Sequence, residues 1–230
     1  MTTDQGNDSG NHDAQGRLWL ADTLWRLGAI QFGDFSLGRT VRNSPVYVNA
    51  KLLISRPDAL KKTVRLIQDD LELGMVMRNR VVEPFDAVAG VPIGGLHIAT
   101  ALSLQMDRPL LYLRPARDPD EVLAPHVEGI YRPGQRVLVV DDLAAGGGSL
   151  VETIEGLRDA GLIVSNAVVL VDREQGAARR LEAMGVKMHC VLSLDVLLTY
   201  LHSAGHVTRE DYDRSKGYLN REGEPRSEFD

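Results

Sequence analysis

From about Leu18 to Leu201 the chain alternates between amphipathic stretches and short apolar runs. Leu60, Val64, Ile67 and Leu71 recur at helical spacing, with Lys61, Lys62, Arg65, Gln68 and Asp69 between them, which predicts an amphipathic helix. Pro57 stands near its start, where a missing N–H costs little. Asp86–Ala89, Leu110–Leu113, Arg136–Val140, Ala167–Val171 and Val186–Leu192 read as buried strands. Between them, about Gly95–Leu104, Ser149–Ala160 and Gln175–Met184 read as helices, and Ser193 opens a last one reaching about Leu201. Strands without polar alternation, separated by helices, indicate a parallel sheet covered on both faces. The predicted fold class is therefore α/β: one doubly wound domain with small N-terminal elements.

The two ends differ from this body. Residues 1–16 are rich in Asp, Asn, Gly and Gln, and residues 206–230 are mostly charged with little apolar periodicity. Both are expected to be disordered tails, because neither buries enough to offset its ordering entropy, leaving residues 17–205 as the folded domain. The chain carries 26 basic and 32 acidic side chains, a net charge of −6, which argues against a nucleic-acid or membrane footprint. A single cysteine, Cys190, excludes an internal disulfide framework. With no long apolar run, and a start too polar for a secretory signal, the expected location is cytoplasmic. Only five basic residues are lysine (Lys51, Lys61, Lys62, Lys187, Lys216), and none falls between 62 and 187. Arginine binds phosphate there but stays charged and is a poor proton donor.

Candidate chemistry concentrates in one stretch. The apolar run Val137–Val140 leads into Asp141-Asp142-Leu143-Ala144-Ala145-Gly146-Gly147-Gly148-Ser149. Ligands of open α/β sheets bind at the carboxyl ends of strands. Three glycines let backbone amides converge there, and the following helix adds its positive end, making an anion cradle suited to a phosphate. Ser149, three residues before Glu152, reads as the capping box of that helix. Two carboxylates beside a phosphate need something neutral or cationic between them, and a ribose diol with Mg²⁺ close by satisfies both. The alternative is a glycine-rich turn with Asp141 and Asp142 solvated. Neither the lysine-containing P-loop nor the Gly-x-Gly-x-x-Gly fingerprint fits.

Val137–Ser149 resembles the phosphoribosyl diphosphate (PRPP) motif of type I phosphoribosyltransferases. Asp172-Arg173-Glu174-Gln175-Gly176, together with Gly28–Leu37 and Ser44-Pro45-Val46-Tyr47, resembles the orotate branch of that class. Gly90-Val91-Pro92-Ile93-Gly94-Gly95 and Val127-Glu128-Gly129 fall in the same family order. The resemblance implies that Asp141 and Asp142 hold the ribose hydroxyls of PRPP and that residues from Leu143 to Ser149 surround it, with Ala145–Ser149 wrapping the 5′-phosphate. It implies that Gly90–Gly95 lie against pyrophosphate, that Arg173 pairs with the orotate carboxylate beside Ala145, and that Tyr47 walls the base pocket. It further implies Mg²⁺ carried mainly by PRPP with no direct protein ligand, a homodimer, and transfer of phosphoribosyl to orotate, giving orotidine 5′-monophosphate and pyrophosphate.

The chain departs from the family's mobile basic loop. It reads Arg114-Pro115-Ala116-Arg117-Asp118-Pro119-Asp120-Glu121-Val122-Leu123-Ala124-Pro125-His126, without lysine or glycine. Arg114 and Arg117 are the expected catalytic cations, with His126 a further substitute for a lysine. In the cradle, Ala145, Gly146 and Gly148 replace hydroxyl side chains, so weaker PRPP binding is expected. Two other readings remain open: transfer to a different base, and a PRPP- or nucleotide-binding regulator without catalysis. For Arg173 the plain alternative is an ion pair with Asp172 or Glu174.

Overall fold

The computed structural model describes residues 9–37, 41–114 and 126–223. Helix α1 (Ser9–Arg26) precedes an antiparallel hairpin, β1 (Ile30–Leu37) and β2 (Val41–Val48), and a 3-10 turn at Ala50–Ser55. Then come α2 (Pro57–Val76), β3 (Ala87–Gly90), α3 (Gly94–Met106), β4 (Leu110–Arg114) and β5 (His126–Glu128). The second half runs β6 (Arg136–Ala144), α4 (Gly148–Asp159), β7 (Ile163–Asp172), α5 (Ala177–Ala183), β8 (Lys187–Ser193), α6 (Leu194–Ser203) and α7 (Arg209–Gly223).

The main sheet has the order β5-β4-β3-β6-β7-β8, parallel except for β5, which pairs antiparallel with β4 at the edge. Chain order reverses between β3 and β6, which opens a crevice at their carboxyl ends. Strand β6 illustrates why such strands lack alternation. Leu138 and Val140 face one apolar layer with Leu24, Ile67, Ile98, Leu102 and Leu197. Val137 and Val139 face the other, with Leu150, Ile154, Leu157 and Leu181. Each face is roofed by helices, so every position from Val137 to Asp142 is buried.

The helix starts follow local chemistry. Pro57 occupies the first turn of α2, and the Ser193 hydroxyl accepts the Val196 amide (3.2 Å) to cap α6. At α4 the expected capping box is not the device used. Gly147 is the N-cap residue, in the left-handed region at φ 77°, and no side chain caps the helix. That conformation suits glycine, and it frees the Ser149 hydroxyl.

Both tails contain more structure than their composition suggests. Residues 9–26 form α1, whose Leu20 and Leu24 are fully buried. Residues 209–223, expected to be disordered, form α7, with Tyr218 and Leu219 buried against the body. Its start was marked: the Thr208 hydroxyl accepts the Asp211 amide at 3.1 Å, a Ser/Thr-x-x-acid signature. With only a short apolar stripe, the helix is stabilised by tertiary packing instead of its own periodicity.

The layered core yields a direct expectation. Leu138 is fully buried at the centre of the sheet, so Leu138→Ala should cost about 2–5 kcal/mol, read as a lower denaturant midpoint with an unchanged m-value.

Candidate functional site

The crevice between β3 and β6 is built by unusually close backbone approach. The turn after β3 presses on the end of β6, with the Val91 amide donating to the Val140 carbonyl at 2.9 Å. A Cβ at Gly94 would lie 2.1 Å from Asp142 Oδ1, and one at Gly95 would lie 2.3 Å from the Val140 carbonyl oxygen. Both positions therefore require glycine. The Pro92–Ile93 peptide within this turn is cis.

Asp141 and Asp142 end the apolar part of β6 and are only 7% and 6% exposed. The Asp142 amide donates to Asp141 Oδ1 at 2.8 Å. Burial, then the neighbouring Asp142 carboxylate, pushes the Asp141 carboxyl well above the usual carboxylate range. Asp142 Oδ2 is buried without a hydrogen bond, although Lys51 Nζ stands 3.1 Å away as its ion-pair partner. Beyond the pair, Ala145, Gly146 and Gly147 turn the chain into α4, whose first amides have no intrahelical acceptor. Gly148 and Ser149 at that helix start are exposed. The sequence-predicted acidic pair, glycine turn and β3–α3 loop thus meet in one place.

Lys51 was not among the predicted site residues. It lies on the 3-10 turn after β2, far from Asp142 in sequence, and no spacing rule links the two. The missing signal is topological: the turn packs against α3 and the end of β6.

Arg173 lies one strand away, just past β7, where its amide donates to the Ala144 carbonyl at 2.8 Å. It is 1% exposed. Its Nη2 donates to Ser44 Oγ (2.8 Å), Nη1 to the Val46 carbonyl (3.5 Å) and Nε to Gln175 Oε1 (3.2 Å). The ion pair considered from the sequence does not form. Asp172 Oδ1 instead accepts the Glu174 amide and Glu174 Oε2 accepts the Asp195 amide. Among the described residues no carboxylate pairs with Arg173, so burial lowers its pKa, a shift that nearby Tyr218 opposes. A buried cation with neutral partners only is a receptor for an anion.

Tyr47 is half-buried on β2, its ring centroid 5.6 Å from that of Phe35. Arg114, half-buried at the end of β4, faces Glu128 at 3.8 Å. Arg117 lies outside the described residues, as does the side chain of His126. Elsewhere, a cavity of ≈ 600 Å³ lined by Arg80, Asn166, Glu182 and Lys187 opens near the amino-terminal ends of β7 and β8, at the opposite end of the sheet from the acidic pair. Among the described residues no cluster of three or more His, Cys, Asp or Glu could hold a metal ion.

An acidic pair at a topological switch point, backed by a glycine turn and a helix start, is the architecture of the type I phosphoribosyltransferases, and a profile of the phosphoribosyl transferase domain matches residues 77–195, just over half of the chain. The orotate phosphoribosyltransferase of Cenarchaeum symbiosum is 38% identical over 186 residues, covering 80% of this chain and 88% of that protein. Among solved structures, the UMP synthase of Leishmania donovani is 33% identical with a TM-score of 0.74, covering 89% of this chain but 42% of that larger one. An orotate phosphoribosyltransferase from Mycobacterium tuberculosis in complex with PRPP is 26% identical, with a TM-score of 0.59 and coverage of 79% and 98%. The chain belongs to the orotate phosphoribosyltransferase family.

The raised Asp141 carboxyl predicts a stability effect of definite sign. Its folded-state pKa lies above the unfolded value, so folding favours the protonated form. Stability from this group is full below the ordinary carboxylate range, near pH 4, and is lost as pH rises through the raised value. Asp141→Asn should therefore melt above the parent at neutral pH, with the gap closing as pH falls to the ordinary carboxylate range in a pH series of melting curves.

Proposed function

We propose that this protein transfers the phosphoribosyl group of PRPP to orotate, releasing pyrophosphate and forming orotidine 5′-monophosphate. The observation that carries the reading is Arg173, a buried guanidinium beside the cradle whose partners are all neutral. A guanidinium has five N–H donors; Gln175, Val46 and Ser44 take three of them, and one N–H remains on each Nη nitrogen, on opposite edges, either of which can donate to an acceptor carboxylate. Family membership supports the same acceptor.

In this reading the ribose hydroxyls of PRPP donate to Asp141 and Asp142, filling the empty acceptor at Asp142 Oδ2. Amides from Ala145 to Ser149 hold the 5′-phosphate at the start of α4. The Gly90–Gly95 turn cradles the pyrophosphate, with Lys51 at its edge and Arg114 at the rim. The bond from C1 to the pyrophosphate oxygen breaks through an oxocarbenium-like state, the electron pair leaving with pyrophosphate. A ring nitrogen of orotate, oriented by Arg173 and walled by Tyr47, then bonds to C1 and gives up its N–H proton to the departing pyrophosphate or to water. Positioning and charge stabilisation of the leaving group lower the barrier.

The donor set fits Mg²⁺ brought in with PRPP better than a resident metal: two carboxylates, one with an unfilled oxygen, and no larger ligand cluster among the described residues. Bound Mg²⁺ would supply neutralising charge to the pyrophosphate. The proposal also takes the protein to be a cytoplasmic homodimer, on the strength of family resemblance. No helix of the described residues is long and apolar enough to cross a membrane.

One observation favours a second reading, a PRPP-binding regulator: the segment from Arg114 to His126 contains no lysine. Pyrophosphate release from Mg²⁺–PRPP, measured with orotate beside uracil, adenine, guanine, hypoxanthine and nicotinate, separates the readings. Release is expected with orotate. Arg173→Ala should lower kcat/KM for orotate roughly 10- to 100-fold, the worth of a charge-assisted pair. Asp141→Asn, although more stable, should lose PRPP turnover. Saturable PRPP binding with no release from any base would instead establish the regulator.

A further inference from the structure

Helix α7 lies beyond the residues matched by the family profile, yet it packs on β2 and α6, next to Arg173. Tyr218 and Leu219 are each 6% exposed. Arg214 of the helix pairs with Asp34 on β1, and Lys216 pairs with Asp195 in the first turn of α6. One helix therefore ties the β1–β2 hairpin to the sheet-bearing body. Exposed ion pairs contribute little singly, so the buried face with Tyr218 and Leu219 is the main anchor.

The Tyr218 hydroxyl is not idle in that anchor. Gln175 Nε2 donates to it at 3.3 Å, while Gln175 Oε1 accepts from Arg173 Nε at 3.2 Å. The reversed amide would set two donors, Gln175 Nε2 and Arg173 Nε, against each other. On its other side the guanidinium is held by Ser44 and Val46 of the same hairpin that α7 braces, and the Ser44 hydroxyl itself donates to the Val46 carbonyl at 2.7 Å. Arg173 is thus gripped from two directions, and α7 has a hand in both.

We infer that α7 is a specificity brace for acceptor recognition: Tyr218, acting through Gln175, fixes Arg173 Nε and with it the guanidinium plane, so that a free Nη N–H is presented to the carboxylate of the incoming base. Tyr218 and Gln175 are positioning residues. The inference rests on the proposed role of Arg173 and deepens it, because acceptor choice then depends on a segment outside the residues matched by the family profile. A structural role alone would lower stability or weaken both substrates together. The brace acts on one.

The test uses the full chain with Tyr218→Phe, Gln175→Leu, the double variant and Arg173→Ala, reading melting temperature and separate KM values for orotate and PRPP. Tyr218→Phe should raise KM for orotate about three- to tenfold, the range of one neutral hydrogen bond, and leave KM for PRPP within about twofold. Preference for orotate over uracil, which lacks the carboxylate, should fall by the same factor. Gln175→Leu should do at least as much, and the double variant no more than Gln175→Leu alone, as expected of two links in one chain. Tyr218→Phe raising both KM values equally, or neither, while Arg173→Ala weakens orotate, would overturn the brace and leave the Arg173 assignment standing. Unchanged orotate KM in Arg173→Ala would overturn both.

Discussion

The contact between the β3–α3 turn and the acidic end of β6 governs the rest of the site. The turn meets the Asp142 side chain at Gly94 and the β6 backbone at Gly95 so closely that a side chain is excluded at either position. The result is a pair of adjacent carboxylates with almost no access to water. Such burial is unfavourable unless each charge finds a partner. Within the chain the compensation is partial: the Asp142 amide reaches Asp141, and Lys51 approaches Asp142 without a hydrogen bond. A fold that keeps unfilled acceptors at its crevice has a place arranged for donors from outside. The polyol of a phosphorylated sugar has the donors required.

The same reasoning with opposite sign applies one strand away. Arg173 is a buried cation with three of its five donors filled by neutral partners and its charge unmatched. The crevice thus presents a buried acidic pair with an acceptor lacking a hydrogen bond and a buried cation with neutral partners, on neighbouring strands in register through Ala144 and Asp172. A substrate pair carrying hydroxyls on one partner and a carboxylate on the other completes both. Strain of this kind is widespread where a site is organised before its ligand arrives.

How much of this was legible in the sequence depends on how local each signal is. The β6 run, the acidic pair and the glycine turn are contiguous, so their pattern alone placed them at a strand end before a helix. The β3–α3 turn and Arg173 could be added because their motifs are also short and continuous. Lys51 could not, since only the packing of a 3-10 turn brings it to Asp142. The capping of α4 was misassigned to Ser149 because a capping-box spacing and a glycine N-cap at 147 are adjacent alternatives, and only backbone conformation separates them. Helix α7 was hidden by its charge: Tyr212, Tyr218 and Leu219 on an otherwise polar helix carry little periodic signal, although the Thr208 and Asp211 pairing marked its start.

The antiparallel edge of the sheet has a consequence for how this protein can change. Arg114 and His126 are register partners across β4 and β5, so the segment between them leaves and re-enters the fold at one fixed rung. For a flexible chain pinned in this way the closure cost grows only slowly with length. The sheet is thereby insulated from whatever that stretch encodes. The β4–β5 pairing is made by Tyr112–Arg114 and His126–Glu128 themselves, so a change of residue type between them need not alter any rung of the ladder.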